Sequence, residues 1–336
     1  MPDAKKPARK SAKKKTSKAA AQAQMKQLDQ ALRQAFEMFG GEHLTREDLK
    51  ALKASLTGPS ADEGLSEAEA DAKDEAQQIA FEAMDAPTAA EARRLAKRAL
   101  KLDPDCVDAL LVITDLDART ERERLEGLQR AVAAGERSLG AKFIDENEGH
   151  FWLLIETRPY MRALELMAEA YRSHDIRCDA IKVYEKMLKL NPNDNQGVRD
   201  PLLGLYLETG DLNAAALILS RYKDDASASF AWARVLERFL AGERAGASAA
   251  LKRARRANRH VELILTGRTA LPDERPEMYS PGSEEEAALC VSYLSGALAE
   301  HKEAAMWLYD QLKKDGLGLA PTRAALRKVR AAKTIQ

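Results

Sequence analysis

The sequence predicts an all-α protein, and three observations carry that prediction. Hydrophobic residues make up 45% of the 336-residue chain but aromatics only 5%, so the core is built from Ala and Leu. Such a core favours helix-on-helix packing, because strands draw on Val, Ile, Thr and aromatics. Apolar residues also recur at three- and four-residue steps, the spacing of one helix face. Finally, a helix-ending phrase returns: "RALKLDPD" at 98–105 and "KMLKLNPND" at 186–194. Each closes on Leu, a polar residue and Pro, and the residue before a proline is pushed out of the α region.

The elements follow in order. Residues 1–20 hold eight Lys/Arg and one Asp, although the whole chain is formally neutral. Residues 1–22 are therefore expected to be a disordered basic tail, too charged and too poor in large apolar residues to fold alone. It has no apolar run like that of a secretory signal. Residues 23–56 predict a helical hairpin. In its first helix Met25, Leu28, Leu32, Ala35 and Phe39 share a face, Gly40 and Gly41 stop it, and Thr45 caps the second. The rhythm is that of an EF-hand, but the oxygen-rich ligand loop is missing, so no calcium site is expected. Residues 57–69, "TGPSADEGLSEAE", read as a linker. Residues 70–315 form the predicted helical array, broken near Pro104, Pro192 and the loop 266–282. Residues 316–336 are a basic C-terminal segment.

The array repeats. Leu164, Met167, Ala168 and Tyr171 are followed by Ala180, Tyr184 and Met187. Tyr206 and Ala215 come 35 residues after Tyr171 and Ala180, and Leu219 and Tyr222 continue the frame. Trp232, Val235, Leu236 and Phe239 open another helix, with "ASAALKRARRA" as its partner. Upstream, Ala92, Ala96, Ala99 and Pro104 match a second helix. This pattern resembles the tetratricopeptide repeat, a helix pair of about 34 residues, strongly over 161–222 and more loosely over 70–260. The resemblance implies an α-solenoid in which each pair stacks on its neighbours to bury its apolar face. "GHFWLLIETRPYMRA", "LNPNDNQGVRD" and "SPGSEEEA" further resemble a bacterial helical-repeat family, itself similar to the suppressor of tumorigenicity 7 family in the repeat region. That resemblance implies fold and extent, over about 140–310, and no catalytic residues.

Pro104 and Pro192 are 88 residues apart, where two periods would take about 68. An irregular joint is therefore expected, and the aromatic stretch "GHFWLLIETRPY" falls in it. Trp152 and Phe151 are expected to fill the gap, since interiors are close-packed. Thr157 is placed to cap a helix whose first turn holds Pro159, and Tyr160 points into the stack. Glu156 or Glu165 is expected to pair with Arg158. Trp152, Glu156, Arg158 and Tyr160 thus make a packed joint, with a ligand site as the alternative.

Function is less legible. The first helices of stacked pairs line a groove, and Arg162, Glu165, Glu169 and Arg172, followed by Gly197, Asp200 and Glu208, are its expected lining. Tetratricopeptide domains that grip a chaperone's C-terminal carboxylate carry Lys and Asn where Glu165 and Glu169 stand here, so a basic or mixed peptide fits better. The resulting expectation is a non-catalytic scaffold for a protein or peptide partner. A second reading is contact with nucleic acid through the tail, including Lys13, Lys14 and Lys15, and through "LKRARRANRH", with Lys252, Arg253, Arg255, Arg256 and Arg259. No aromatics interleave these cations, so base stacking is not supported. An enzyme is the weakest reading: the five histidines are scattered, and no metalloprotease, hydrolase or phosphate-loop motif occurs. Three single cysteines without C-x-x-C spacing suit a reducing compartment, hence a cytoplasmic address. No cofactor, metal or membrane span is expected.

Overall fold

The structure, a computed structural model, describes residues 65–272, 276 and 278–315. The tail, the hairpin 23–56 and the segment 316–336 lie outside the described residues. The chain divides into two compact units between Ala70 and Asp71; apart from the first turn of its first helix, the architecture below is that of the second.

The described residues hold fourteen α-helices, two 3-10 turns and no strand. In chain order the helices are α1 (Glu67–Met84), α2 (Ala89–Leu102), α3 (Val107–Asp117), α4 (Glu121–Leu139), α5 (Ala141–Glu146), α6 (Arg158–Ser173) and α7 (Arg177–Leu190). Then follow α8 (Arg199–Thr209), α9 (Leu212–Arg221), α10 (Ala228–Leu240), α11 (Arg244–Ala257), α12 (His260–Leu265), α13 (Glu284–Glu300) and α14 (Lys302–Lys314). None of the described helices is long and apolar enough to cross a membrane.

Local chemistry sets the helix ends. Ser66 and Glu69 form reciprocal bonds, Glu69 N–H to Ser66 Oγ and Ser66 N–H to Glu69 Oε2. That capping pair starts α1 at Glu67, inside the stretch read from sequence as linker. Thr120 and Glu123 form a full capping box at α4. Thr88, Asp211, Ser227 and Ser283 each accept from a backbone N–H in the first turn of α2, α9, α10 and α13. Gly210, at φ 76°, ends α8 in the left-handed region, which glycine enters without a Cβ penalty.

Along most of the array, helices pack on their chain neighbours: α2 on α3, α3 on α4, α6 on α7, α8 on α7 and α9, and α10 on α9 and α11. Alanines allow the close approach. Ala180 and Ala215 are wholly buried and Ala250 nearly so, at a constant spacing of 35 residues. Between α4 and α6 the regular alternation is broken by α5 and the 3-10 turns Phe151–Leu153 and Ile155–Thr157.

One arrangement was not read from sequence. Helix α13 lies across α8 and α10, with Ala287, Cys290, Val291, Leu294 and Ala297 buried. Contact is closest where Gly204 on α8 meets the backbone carbonyl of Tyr293: an added Cβ would fall on that oxygen. Gly204→Ala is therefore expected to force α8 and α13 apart at a cost of about 1–3 kcal/mol. Urea denaturation measures this; a variant as stable as wild type contradicts the contact.

Candidate functional site

The joint is organised by Phe151 and Tyr160 rather than by Trp152. Phe151 is fully buried, and its ring centre lies 6.4 Å from that of Tyr160. Tyr160 packs against Gly135 of α4, where a Cβ would strike the ring, and its hydroxyl donates to Glu136 (3.1 Å). Burial, aided by the Glu136 charge, holds that hydroxyl protonated far above the ordinary tyrosine range. Trp152 is only half-buried. Arg158 is exposed and rests over the Trp152 ring, 5.2 Å from its centre, so it takes neither expected glutamate partner. Glu165 accepts instead from Gln196 Nε2 (2.6 Å). Both Glu156 carboxylate oxygens are occluded without a hydrogen-bond partner. Thr157 stands at the start of α6 but does not cap it. Its backbone is already helical, and its hydroxyl meets the carbonyls of Phe151 (2.5 Å) and Leu154 (2.8 Å). Thr157 thus closes the two 3-10 turns on themselves.

The expected groove lining falls into two parts. Towards the C-terminal end, α13 occupies the face. Glu169 accepts from the Tyr184 hydroxyl (2.8 Å) and from Arg172 (2.7 Å). Arg172 also reaches the Ser292 carbonyl and lies over Tyr293, both on α13. Glu208 pairs with Arg177 (2.9 Å) and packs against Gly296. Gly197 sits in the turn before α8 at φ 75°. Asp200 has one oxygen occluded without a hydrogen-bond partner. Its neighbour Arg199 is committed to Asp225 (2.7 Å) and Asp194 (3.2 Å). Burial, with Asp225 adding repulsion, pushes the Asp200 carboxyl up to about 7.

The consequence for stability has a definite sign. An acid whose pKa is higher folded than unfolded binds more protons in the folded state, so stability falls as pH rises between the two values. For Asp200 that window runs from about 4 to about 7. Asp200→Asn should remove this contribution, on the order of 2–4 kcal/mol. The stability difference between variant and wild type should grow across that window and level off above it. Denaturation curves at several pH values measure the difference; a constant difference refutes the assignment.

Towards the N-terminal end the face is open. Arg162 on α6 grips Asp108 on α3 with two bonds of 3.2 Å, and Gln77 on α1 donates to the same carboxylate (2.7 Å). Asp108 is completely buried, whereas the Arg162 side chain remains 38% exposed. The guanidinium is therefore held from behind and presented forward. It borders an open cavity of about 430 Å³, walled by Met84, Ala92, Leu111, Leu128 and Leu166, with Arg124 and Asp115 beside it. Nothing in the sequence pattern singled out Asp108 except that it is an acid in the first turn of the apolar run "VDALLVITDLD".

The family-like motifs turn out to hold structural hubs. Asp194, at φ 52° and buried, accepts from the backbone N–H groups of Val198 (2.8 Å) and Arg199 (3.0 Å). Glu286, buried, accepts from Gly282 N–H, Ala228 N–H and Asn258 Nδ2, tying α13 to α10 and the end of α11.

Of the basic residues on "LKRARRANRH", Arg255 is withdrawn from the surface role expected of it. It holds the buried Glu262 through two bonds (2.6 and 2.7 Å) and also reaches Asp315. Lys252, Arg253, Arg256 and Arg259 are exposed. Lys13, Lys14 and Lys15 lie outside the described residues. No protein-family model and no curated protein matches the chain.

Proposed function

We propose that the helices form an α-solenoid of tetratricopeptide type and that the protein is a non-catalytic interaction scaffold in the cytoplasm. The observation that carries this reading is the open apolar cavity bordered by Arg162. Concave sites walled by apolar side chains, with a few fixed polar groups, are the usual form of a binding site. Here the fixed group is a cation whose orientation is set by the buried Asp108. The repeat spacing and the resemblance to tetratricopeptide proteins support the same reading.

The partner is an amphipathic segment of another protein. Its apolar side chains fill the trough between α1, α3 and α6, and its acidic positions meet Arg162 and Arg124. The mixed or basic peptide expected from Glu165 and Glu169 fits less well, because both glutamates are engaged within the protein. Panning a phage-displayed library of random peptides tests the proposal. Selected sequences should combine apolar residues at helical spacing with acids. Binding should fall at least tenfold on Leu166→Glu, which places a charge in the trough. It should survive Leu217→Glu, the same change at an exposed site on α9. Selected peptides that bind both variants alike would refute the proposal.

A further inference from the structure

We infer that the solvent face of α11 and the turn that follows it are a binding site for the phosphodiester backbone of nucleic acid, formed by Lys252, Arg253 and Arg256 on the helix and Arg259 just beyond it. The inference is independent of the apolar cavity and stands on four observations.

No acidic residue occurs between Glu243 and Glu262, so no carboxylate in α11 opposes these cations. All four are exposed, and none makes an ion pair or side-chain hydrogen bond with another described residue. Six arginines elsewhere, Arg93, Arg137, Arg162, Arg177, Arg199 and Arg238, each carry a carboxylate. The one cation of this stretch that the fold uses, Arg255, is turned inward onto Glu262.

Their spacing forms a line. Lys252 and Arg256 are four residues apart on α11, with Arg253 alongside, so three of the cations share one helical face; Arg259 stands beyond the extended backbone of Asn258, at the start of α12. From Lys252 to Arg256 the line advances about 6 Å at 1.5 Å rise per residue. Successive phosphates of one strand advance about 3.4 Å along the duplex axis, so the four flexible cations reach separate phosphates. The other exposed residues of α11 are Ala245, Ala249 and Arg244, whose guanidinium lies over Phe239. The face offers no bulky apolar group to insert into a membrane and no ring to stack on a base. Contact is therefore to the backbone, without sequence readout.

Fluorescence anisotropy with a random-sequence DNA duplex tests this in the full chain at two salt concentrations. The variant is Lys252→Gln/Arg253→Gln/Arg256→Gln/Arg259→Gln. All four sites are exposed, so its melting curve should match wild type. Because the tail is common to both proteins, the comparison isolates these four cations. The variant should bind at least tenfold more weakly at low salt, and its dependence of log K on log salt should be shallower by about 2–4. Arg255→Gln should lower the melting temperature and leave that slope unchanged. Equal affinity and slope in the quadruple variant would overturn the inference. So would four-residue-dependent binding to phosphatidylserine vesicles with no difference on DNA.

Discussion

Phe151→Ala should cost about 3–5 kcal/mol of stability, the range for truncating a fully buried aromatic. Its ring fills the space where α5 and the two 3-10 turns interrupt the helix pairs, against Tyr160. Truncation there leaves a cavity bounded by backbone that is already tied down by the Thr157 hydroxyl. Trp152→Ala, one residue on, should cost about 1 kcal/mol, since that ring is half-exposed and its specific contact is a surface cation–π stack with Arg158. Urea denaturation of the two variants side by side gives the comparison. A larger loss from Trp152→Ala would contradict the packing of the joint.

Arg162→Ala should cost about 3 kcal/mol, because it leaves Asp108 buried with only Gln77 as a side-chain partner. The reverse change, Asp108→Ala, should cost less, since Arg162 is partly exposed and can reach water. The distinguishing result is the double variant: removing both charges should be less damaging than removing Arg162 alone. Additive losses in the double-mutant cycle would mean that the two residues do not act as a pair.

The helical array was legible because its signal is periodic. Apolar spacing, threonine and serine caps and the proline stops at Pro104 and Pro192 all act locally, and local rules survive in a sequence. The joint was legible as an irregularity from the 88 residues between those prolines. Its interior was not, because a 3-10 turn sends neighbouring residues in different directions. Both rings were expected to fill the gap, whereas the turn buries Phe151 and leaves Trp152 half-exposed. That α13 covers part of the expected groove lining was hidden for a non-local reason. Nothing in "EEEAALCVSYLSGALAE" says that it lies across α8 and α10, about 90 and about 60 residues upstream. Its apolar residues on nearly every side do indicate burial. Asp108, Asp194 and Glu286 share this difficulty: a buried acid looks like a surface acid until its donors, far away in sequence or held in a turn, are known.

The most direct test of the scaffold reading is amide hydrogen exchange with and without a peptide selected on the cavity. Exchange should slow in α1, α3 and the first turns of α6, around Met84, Leu111 and Arg162, and remain unchanged in α13. Slowing in α13, or along the outer helices α7, α9 and α11 with none at α1 and α3, would contradict it.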